Sequence, residues 1–227
     1  MKALRAKFKS LPEERLTTNQ PFAVRVHRAL SWLERAGEPK DLESRFIFAW
    51  IAFNALYGQS REGLPTARSQ PNFGGGDRDE YISFLNKLAQ LDGPRLLAAA
   101  MPIQAFLREL VGCKYLYFSY WRNMPDWSES LARDVSGFGK ALQSRNVGRI
   151  YSLAFDRLYV MRLQLLHGGA TFGSRVNRKT LQLCEVILRQ LMRAILETMV
   201  DHGLDVDWGD FSYPPRDQVE HQQKGQS

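Results

Sequence analysis

The stretch that most constrains this chain is an apolar helix that ends at a histidine and two glycines. Residues 147–166 place apolar side chains at the i, i+3/i+4 and i+7 spacing of one helix face, and a second apolar face lies beside it. A helix that is apolar around most of its girth is buried on more than one side. Arg162 lies in the second face and needs a partner, because a buried unpaired charge is costly. The stretch therefore predicts a helical core that contains a charged group.

The helix pairs this arginine with a histidine, His167, five residues later. On an ideal helix that is about 140° around the axis and about 7.5 Å along it. Gly168 is expected at the C′ position, where glycine ends a helix in a left-handed turn and lets the preceding residue change direction. The guanidinium of Arg162 and the imidazole of His167 can then converge on one anion.

That pair of side chains suits the cleavage of RNA. Attack of a ribose 2′-hydroxyl on the neighbouring phosphate needs a proton transfer, and histidine has an ordinary pKa of about 6.5. It also needs stabilisation of the charge on the phosphate oxygens, which the donors of arginine provide. This chemistry predicts Arg162 and His167 as the catalytic residues, and it requires no metal ion and no other cofactor.

An asparagine interrupts a second apolar helix, predicted from about residue 41 to residue 57. Asn54 lies among apolar side chains there, and a buried amide needs a hydrogen-bond partner. Two interpretations stay open: Asn54 caps the backbone of another helix, or it supports the site by orienting Arg162 or His167.

Basic residues are concentrated around the arginine and histidine. The formal net charge of the chain is +7, and residues 145–193 alone contain nine Arg and Lys against two Asp and Glu. Solvated helix faces account for many of these residues, but their concentration favours a surface that binds phosphates. The candidate RNA-binding residues are Arg157, Arg175, Arg178 and Lys179.

An aromatic run at residues 115–121 lies between Lys114 and Arg122. These rings could form a short strand, a helix or an irregular part of the core, or they could stack on the exposed bases of a nucleic acid. Packing in the core is the favoured interpretation.

The rest of the chain predicts a single domain. We expect a flexible basic N-terminus at residues 1–19, a helical domain at residues 20–214 with a long loop at residues 59–76, and a disordered polar tail at residues 215–227. Two scattered cysteines are typical of a reduced, intracellular protein. No uncharged run reaches membrane-spanning length. The expected location is therefore cytoplasmic, without a membrane partner.

Three blocks of the chain resemble the HEPN domains, and specifically their Apea-like group. In order and spacing, the blocks are far more specific than the arginine and histidine alone. The blocks are residues 44–58 (SRFIFAWIAFNALYG), residues 156–171 (DRLYVMRLQLLHGGAT) followed by residues 174–178 (SRVNR), and residues 207–214 (DWGDFSYP). The resemblance covers about residues 44–214. It implies an all-α, single-domain, HEPN-like helical bundle with long loops.

The same resemblance implies a function. Active HEPN proteins are metal-independent endoribonucleases, often in toxin or antiphage defence systems, and they form homodimers in which the two motifs meet. The implied partners are RNA, a second copy of the chain, and an antitoxin or a nucleotidyltransferase. Leu163 stands where the family often has a polar residue, so an alternative stays open: a catalytically inactive HEPN dimer that binds RNA, a nucleotide or a protein partner. The predicted dimer interface is the second apolar face of residues 147–166, namely Tyr151, Phe155, Tyr159 and Leu166.

Overall fold

The fold is built from helices. The computed structural model describes residues 1–58 and 76–209, and within these ranges it contains no strand. The predicted all-α, single-domain fold is confirmed. Its helices are α1 (Lys2–Lys9), α2 (Glu13–Thr18), α3 (Gln20–Arg35), α4 (Leu42–Tyr57), α5 (Gly76–Ala100), α6 (Gln104–Gly112), α7 (Phe118–Trp121), α8 (Trp127–Gln143), α9 (Val147–Leu166) and α10 (Arg178–His202). None of these helices is both long and apolar enough to cross a membrane.

Helix α4 lies at the centre of the core. It packs against α3, α10 and α9, and α9 also packs against α5 and α8. The aromatic side chains of Phe46, Trp50 and Phe53 are buried. The ring of Phe53 lies against that of Phe155 in α9, with 4.2 Å between the ring centres. Burial of large aromatic side chains is a major source of stability, so contact between these rings holds the two helices that carry the site.

Local sequence signals determine where the helices begin and break. The side chains of Asn19, Asp41 and Asn146 each accept a hydrogen bond from a backbone N–H in the first turn of α3, α4 and α9. Helix α5 is kinked at Asp92, where φ is −150°, just before Pro94. Proline disfavours helical geometry in the preceding chain, which accounts for the kink.

A buried arginine, Arg25 of α3, holds the end of α4 in place. Its guanidinium donates to the carbonyl oxygens of Leu56 at 3.1 Å and Gly58 at 2.5 Å, and to that of Trp208 at 3.2 Å. The indole of Trp208 is buried. The segment that follows α10 is thereby joined to the C-terminal end of α4.

The described part of the chain includes the N-terminal segment that the sequence predicts to be flexible. Residues 1–19 are not a flexible segment, because they include α1 and α2. Leu4 and Phe8, which are four residues apart, are buried against the core, and α1 packs against α10. The short apolar stripe of this basic segment is enough to dock it. The predicted long loop, apart from Gly76, and the predicted tail at residues 215–227 lie outside the described residues, as do Phe211 and Tyr213.

The predicted dimer interface on α9 is wrong for two of its four residues. Tyr151 and Phe155 are buried by the chain's own helices, and the Tyr151 hydroxyl donates to the carbonyl oxygen of Leu96 in α5 at 3.0 Å. Tyr159 is partly buried, and only Leu166 is exposed. Helices α4 and α5 cover this side of α9, so a partner would have to bind near the C-terminal end of the helix.

Candidate functional site

Arg162 has a buried donor that needs an acceptor. It lies on α9 with a partly buried side chain, and its Cζ is 5.6 Å from the centre of the Tyr159 ring. Its Nε is buried, and none of the residues 1–58 and 76–209 provides a hydrogen-bond acceptor for it or a carboxylate in ion-pair contact with the guanidinium. A buried donor without an acceptor costs about 1–3 kcal/mol. An anionic ligand at this position would remove that cost.

A cluster of polar side chains lies beside Arg162; we call Asn54, Tyr57, Asp77 and Tyr159 the tyrosine cluster. The Tyr57 hydroxyl is 2.7 Å from an oxygen of Asp77 and 2.8 Å from the side chain of Asn54. The Tyr159 hydroxyl also interacts with Asp77. Both neighbours present acceptor oxygens, and because a phenol has only one proton, the Tyr57 hydroxyl donates to one of them at a time.

Both tyrosines of the cluster remain protonated at neutral pH. Burial raises the pKa of Tyr57, and the negative charge of Asp77 and the hydrogen bond to it raise that pKa further. Burial is also the main cause of the raised pKa of Tyr159, again with a contribution from Asp77. The positive charge of Arg162 opposes both shifts without cancelling them. The phenols are therefore hydrogen-bond donors and not bases.

Asn54 is connected to Arg162 indirectly. Its side chain contacts the hydroxyl of Tyr57 on its own helix, and the charge of Arg162 in turn acts on that hydroxyl. This contact lies within α4, and a supporting role of Asn54 towards Arg162 or His167 stays a prediction.

His167 lies at the exposed end of α9. Its backbone N–H donates to the carbonyl oxygen of Leu163 at 3.0 Å, and the next residue, Gly168, has a φ of +72°. The predicted left-handed glycine turn is confirmed. Helical geometry continues to Leu166, so more than one turn separates Arg162 from His167. Convergence of the two side chains on one anion stays a prediction.

A buried carboxylate, Glu43, anchors the segment that follows His167. It accepts hydrogen bonds from the N–H of Gly173 at 2.9 Å and from the guanidinium of Arg178 at 2.8 and 2.9 Å. Burial raises the pKa of Glu43, but these hydrogen bonds outweigh it and leave the pKa below its ordinary value. The carboxylate is therefore charged at neutral pH. It joins the beginning of α4 to the beginning of α10 across this segment.

Arg157 is not available for contact with a phosphate. Its side chain is only 3% exposed. Its Nε donates to the carbonyl oxygen of Val111 at 3.1 Å, its terminal nitrogen binds Asp134 at 2.9 Å, and its Cζ lies 4.6 Å from the centre of the Tyr117 ring. These contacts already satisfy the charge and cover the guanidinium. The prediction that Arg157 contacts a phosphate is therefore wrong.

The other three RNA-binding candidates are accessible to different degrees. Arg178 is partly exposed, but its terminal nitrogen is engaged by Glu43. Arg175 and Lys179 are exposed, close in sequence to His167 and on either side of the start of α10. They remain the better candidates for contact with a phosphate backbone.

Sequence reasoning missed three side chains of the site: Tyr57, Asp77 and Tyr159. The two tyrosines match the apolar stripes of their helices, and Asp77 matches a helix start. A usable signal was present, because a tyrosine hydroxyl in a buried stripe needs a polar partner. The partner itself could not be identified, since Asp77 is 20 residues from Tyr57.

The hydrogen-bond donors of Arg162 suit the binding of an anion. Arg162 presents only donors, and the Asp77 carboxylate accepts from the Tyr57 hydroxyl. In the part of the chain that the structure describes, no three His, Cys, Asp or Glu side chains lie together as ligands for a metal ion. An oxyanion such as a phosphate group matches the donors of an arginine fork in both charge and geometry.

Comparisons with known proteins do not identify a function for this chain. The resemblance to HEPN domains rests on the three sequence blocks, so a function has to follow from the chemistry of Arg162 and its neighbours. No protein-family model, no curated protein and no solved structure matches this chain.

Proposed function

We propose that this protein is a metal-independent endoribonuclease of the HEPN type, in which Arg162 binds the scissile phosphate and His167 transfers a proton. The observation that carries the proposal is the buried Nε of Arg162, which has no acceptor among the described residues. A phosphate group that reaches the guanidinium could accept from two of its nitrogens at once, which is the bidentate geometry that arginine favours.

In the proposed reaction the 2′-oxygen of a ribose attacks the adjacent phosphorus. His167 takes the proton from the 2′-hydroxyl while Arg162 stabilises the negative charge that grows on the phosphate oxygens. The bond from phosphorus to the 5′-oxygen breaks, and that oxygen takes up a proton. The products are a 2′,3′-cyclic phosphate and a 5′-hydroxyl. Cleavage of cellular RNA by this route would suit a toxin or an antiphage defence component.

The active form in this proposal is a homodimer. Three apolar side chains near His167, those of Leu166, Phe172 and Val176, are 49%, 74% and 92% exposed. Exposed apolar clusters mark interaction surfaces, and two-fold dimers bury the same patch on both subunits. A second copy at this patch would bring a second His167 to the site. That imidazole could protonate the departing 5′-oxygen while the first one accepts the proton of the 2′-hydroxyl.

Cleavage should be independent of divalent metal ions. We expect purified protein to cleave total cellular RNA in EDTA and to leave 2′,3′-cyclic phosphate ends, because the nucleophile is the 2′-hydroxyl and not a metal-bound water. Fragment lengths on denaturing gels report cleavage, and mass spectrometry of a short RNA substrate identifies the ends. Activity that is lost in EDTA and restored by magnesium would contradict the mechanism.

The proposed dimer can be tested at its apolar patch. Leu166→Asp combined with Phe172→Asp should weaken self-association by at least about 2 kcal/mol, roughly 30-fold in Kd, because a charge would be buried in the interface. Sedimentation equilibrium measures the association, and circular dichroism checks the helices. The control is Phe106→Asp, which changes an equally exposed aromatic residue on α6. A monodisperse wild-type monomer that cleaves RNA at nanomolar concentration would rule out the composite site.

A further inference from the structure

The aromatic run at residues 115–121 is partly exposed. Tyr115 and Trp121 are each 51% exposed, and the other three rings of the run are only partly buried. Leu116 is the buried residue of this segment. The sequence favours packing in the core for these aromatic residues, but the structure places most of that aromatic surface at the solvent boundary.

The exposed rings are held in place by the protein. The indole N–H of Trp121 donates to the carbonyl oxygen of Tyr115 at 2.8 Å, and the side-chain amide of Gln164 in α9 donates to the same oxygen at 2.6 Å. Tyr120 packs edge-on against Tyr115 and Trp127, with ring centres 5.7 and 4.9 Å apart. Pre-ordered rings lose little entropy when a ligand stacks on them.

Two cations lie against these rings. The Nζ of Lys114 is 5.2 Å from the ring centre of Tyr115 and 5.6 Å from that of Tyr120, and the Cζ of Arg122 is 5.1 Å from the ring centre of Phe118. Both cations are exposed, and within residues 1–58 and 76–209 no carboxylate forms an ion pair with either of them. Aromatic rings beside uncompensated positive charge are the combination that binds single-stranded nucleic acid.

A cleft of about 250 Å³ continues this surface towards α9. Its aromatic side chains are Tyr81, Tyr117, Phe118 and Tyr159. Ligand sites for drug-sized molecules usually have volumes of about 300–1,000 Å³, so this cleft is suited to a smaller group such as a single nucleobase.

The polar side chains of the cleft are paired and carry no net charge. Arg78 binds Asp156 through two hydrogen bonds of 2.8 Å, and Arg157 binds Asp134 at 2.9 Å. The cleft therefore offers hydrogen-bond donors and acceptors, but it has no excess of positive charge that would attract a phosphate. A neutral planar ring with polar edges, which describes a nucleobase, matches it better than an anion does.

We infer that the surface formed by residues 114–122 and the adjoining cleft bind the bases of single-stranded RNA. Tyr159 connects this surface to the site, because its ring lines the cleft and also lies 5.6 Å from the Cζ of Arg162. A base in the cleft would direct a neighbouring phosphate of the same strand towards the guanidinium. The inference rests on the proposed function in one respect, namely that the bound strand is the RNA to be cleaved.

The test is a binding measurement that does not depend on cleavage. The probe is a fluorescein-labelled, 2′-O-methylated ten-nucleotide oligouridylate, which cannot be cut because its 2′-hydroxyls are blocked, and fluorescence anisotropy gives the Kd. Tyr115→Ala, Trp121→Ala and Phe118→Ala should each weaken binding by about 5- to 150-fold, the usual loss for one stacked base. Phe106→Ala, an equally exposed ring on α6, should bind as the wild type does.

Cleavage assays with the same variants separate this inference from the proposed function. Binding that depends on these rings, in a protein that does not cleave RNA in EDTA, would support the binding surface and contradict the nuclease. Cleavage by a protein whose Kd is unchanged in all three variants would overturn the binding surface and leave the nuclease intact. Unchanged RNA affinity is also the outcome expected if the rings instead contact a partner protein.

Discussion

Replacing Arg162 with alanine should lower kcat for RNA cleavage by about 10²–10³-fold, the loss usually seen when one preorganised donor to a transition-state oxyanion is removed. Arg162→Lys should be nearly as damaging. Lysine keeps the positive charge but has no planar fork of donors and nothing in place of Nε. The measurement is the initial rate of cleavage of a fluorogenic RNA. Arg193→Lys is the control, because Arg193 is an exposed arginine on α10.

A stability measurement shows whether Arg162 serves function or folding. Its Nε is buried without an acceptor among the described residues, so Arg162→Met removes an unsatisfied donor and keeps much of the apolar contact. We expect the free energy of unfolding, measured with urea, to stay the same or to rise, because loss of an unpaired buried group is neutral or stabilising. A large drop in stability would assign Arg162 a structural role. Near-wild-type cleavage by Arg162→Lys would show that charge alone is sufficient.

The second large effect is expected at His167. His167→Ala should lower the rate of cleavage by about 10²–10⁴-fold, the usual contribution of a general acid or base. The side chain lies at the exposed end of α9, so the folded structure should tolerate the change. The thermal unfolding midpoint and the circular dichroism spectrum of the variant should match those of the wild type.

A matched histidine provides the control for this variant. His202 is likewise exposed and lies in the last turn of a long helix, α10, but it is remote in sequence from Arg162. His202→Ala should retain full activity. If His167→Ala and His202→Ala cleave equally well, His167 is not catalytic, and the hypothesis of a catalytically inactive dimer that binds RNA, a nucleotide or a protein partner becomes the better one.

The segment after His167 was only partly predictable. The glycine turn follows from the sequence, because a positive φ at Gly168 is a local requirement of the helix end. The contact that anchors the segment does not follow from it. Glu43 is 130 residues before Gly173 and 135 residues before Arg178, and no local pattern connects such distant positions.

The sequence by itself determined the helical fold, the approximate bounds of α4 and α9, and the presence of charged groups within an apolar helix. These features depend on residues a few positions apart: the caps at Asn19, Asp41 and Asn146, the break before Pro94, and the repeat of apolar side chains. They are properties of a single helix, so they can be inferred without knowing its neighbours.

Only the tertiary structure decided which arginine of α9 is available to a ligand. Arg157 and Arg162 both interrupt an apolar helix, and the sequence predicts a contact with phosphate for each of them. Packing brings Asp134 and the carbonyl oxygen of Val111 to Arg157, whereas it surrounds Arg162 with the tyrosine cluster and leaves Nε without an acceptor among the described residues. The physical reason is that a buried charge is satisfied by groups from other helices, whose positions depend on how the helices pack and not on the spacing within any one of them.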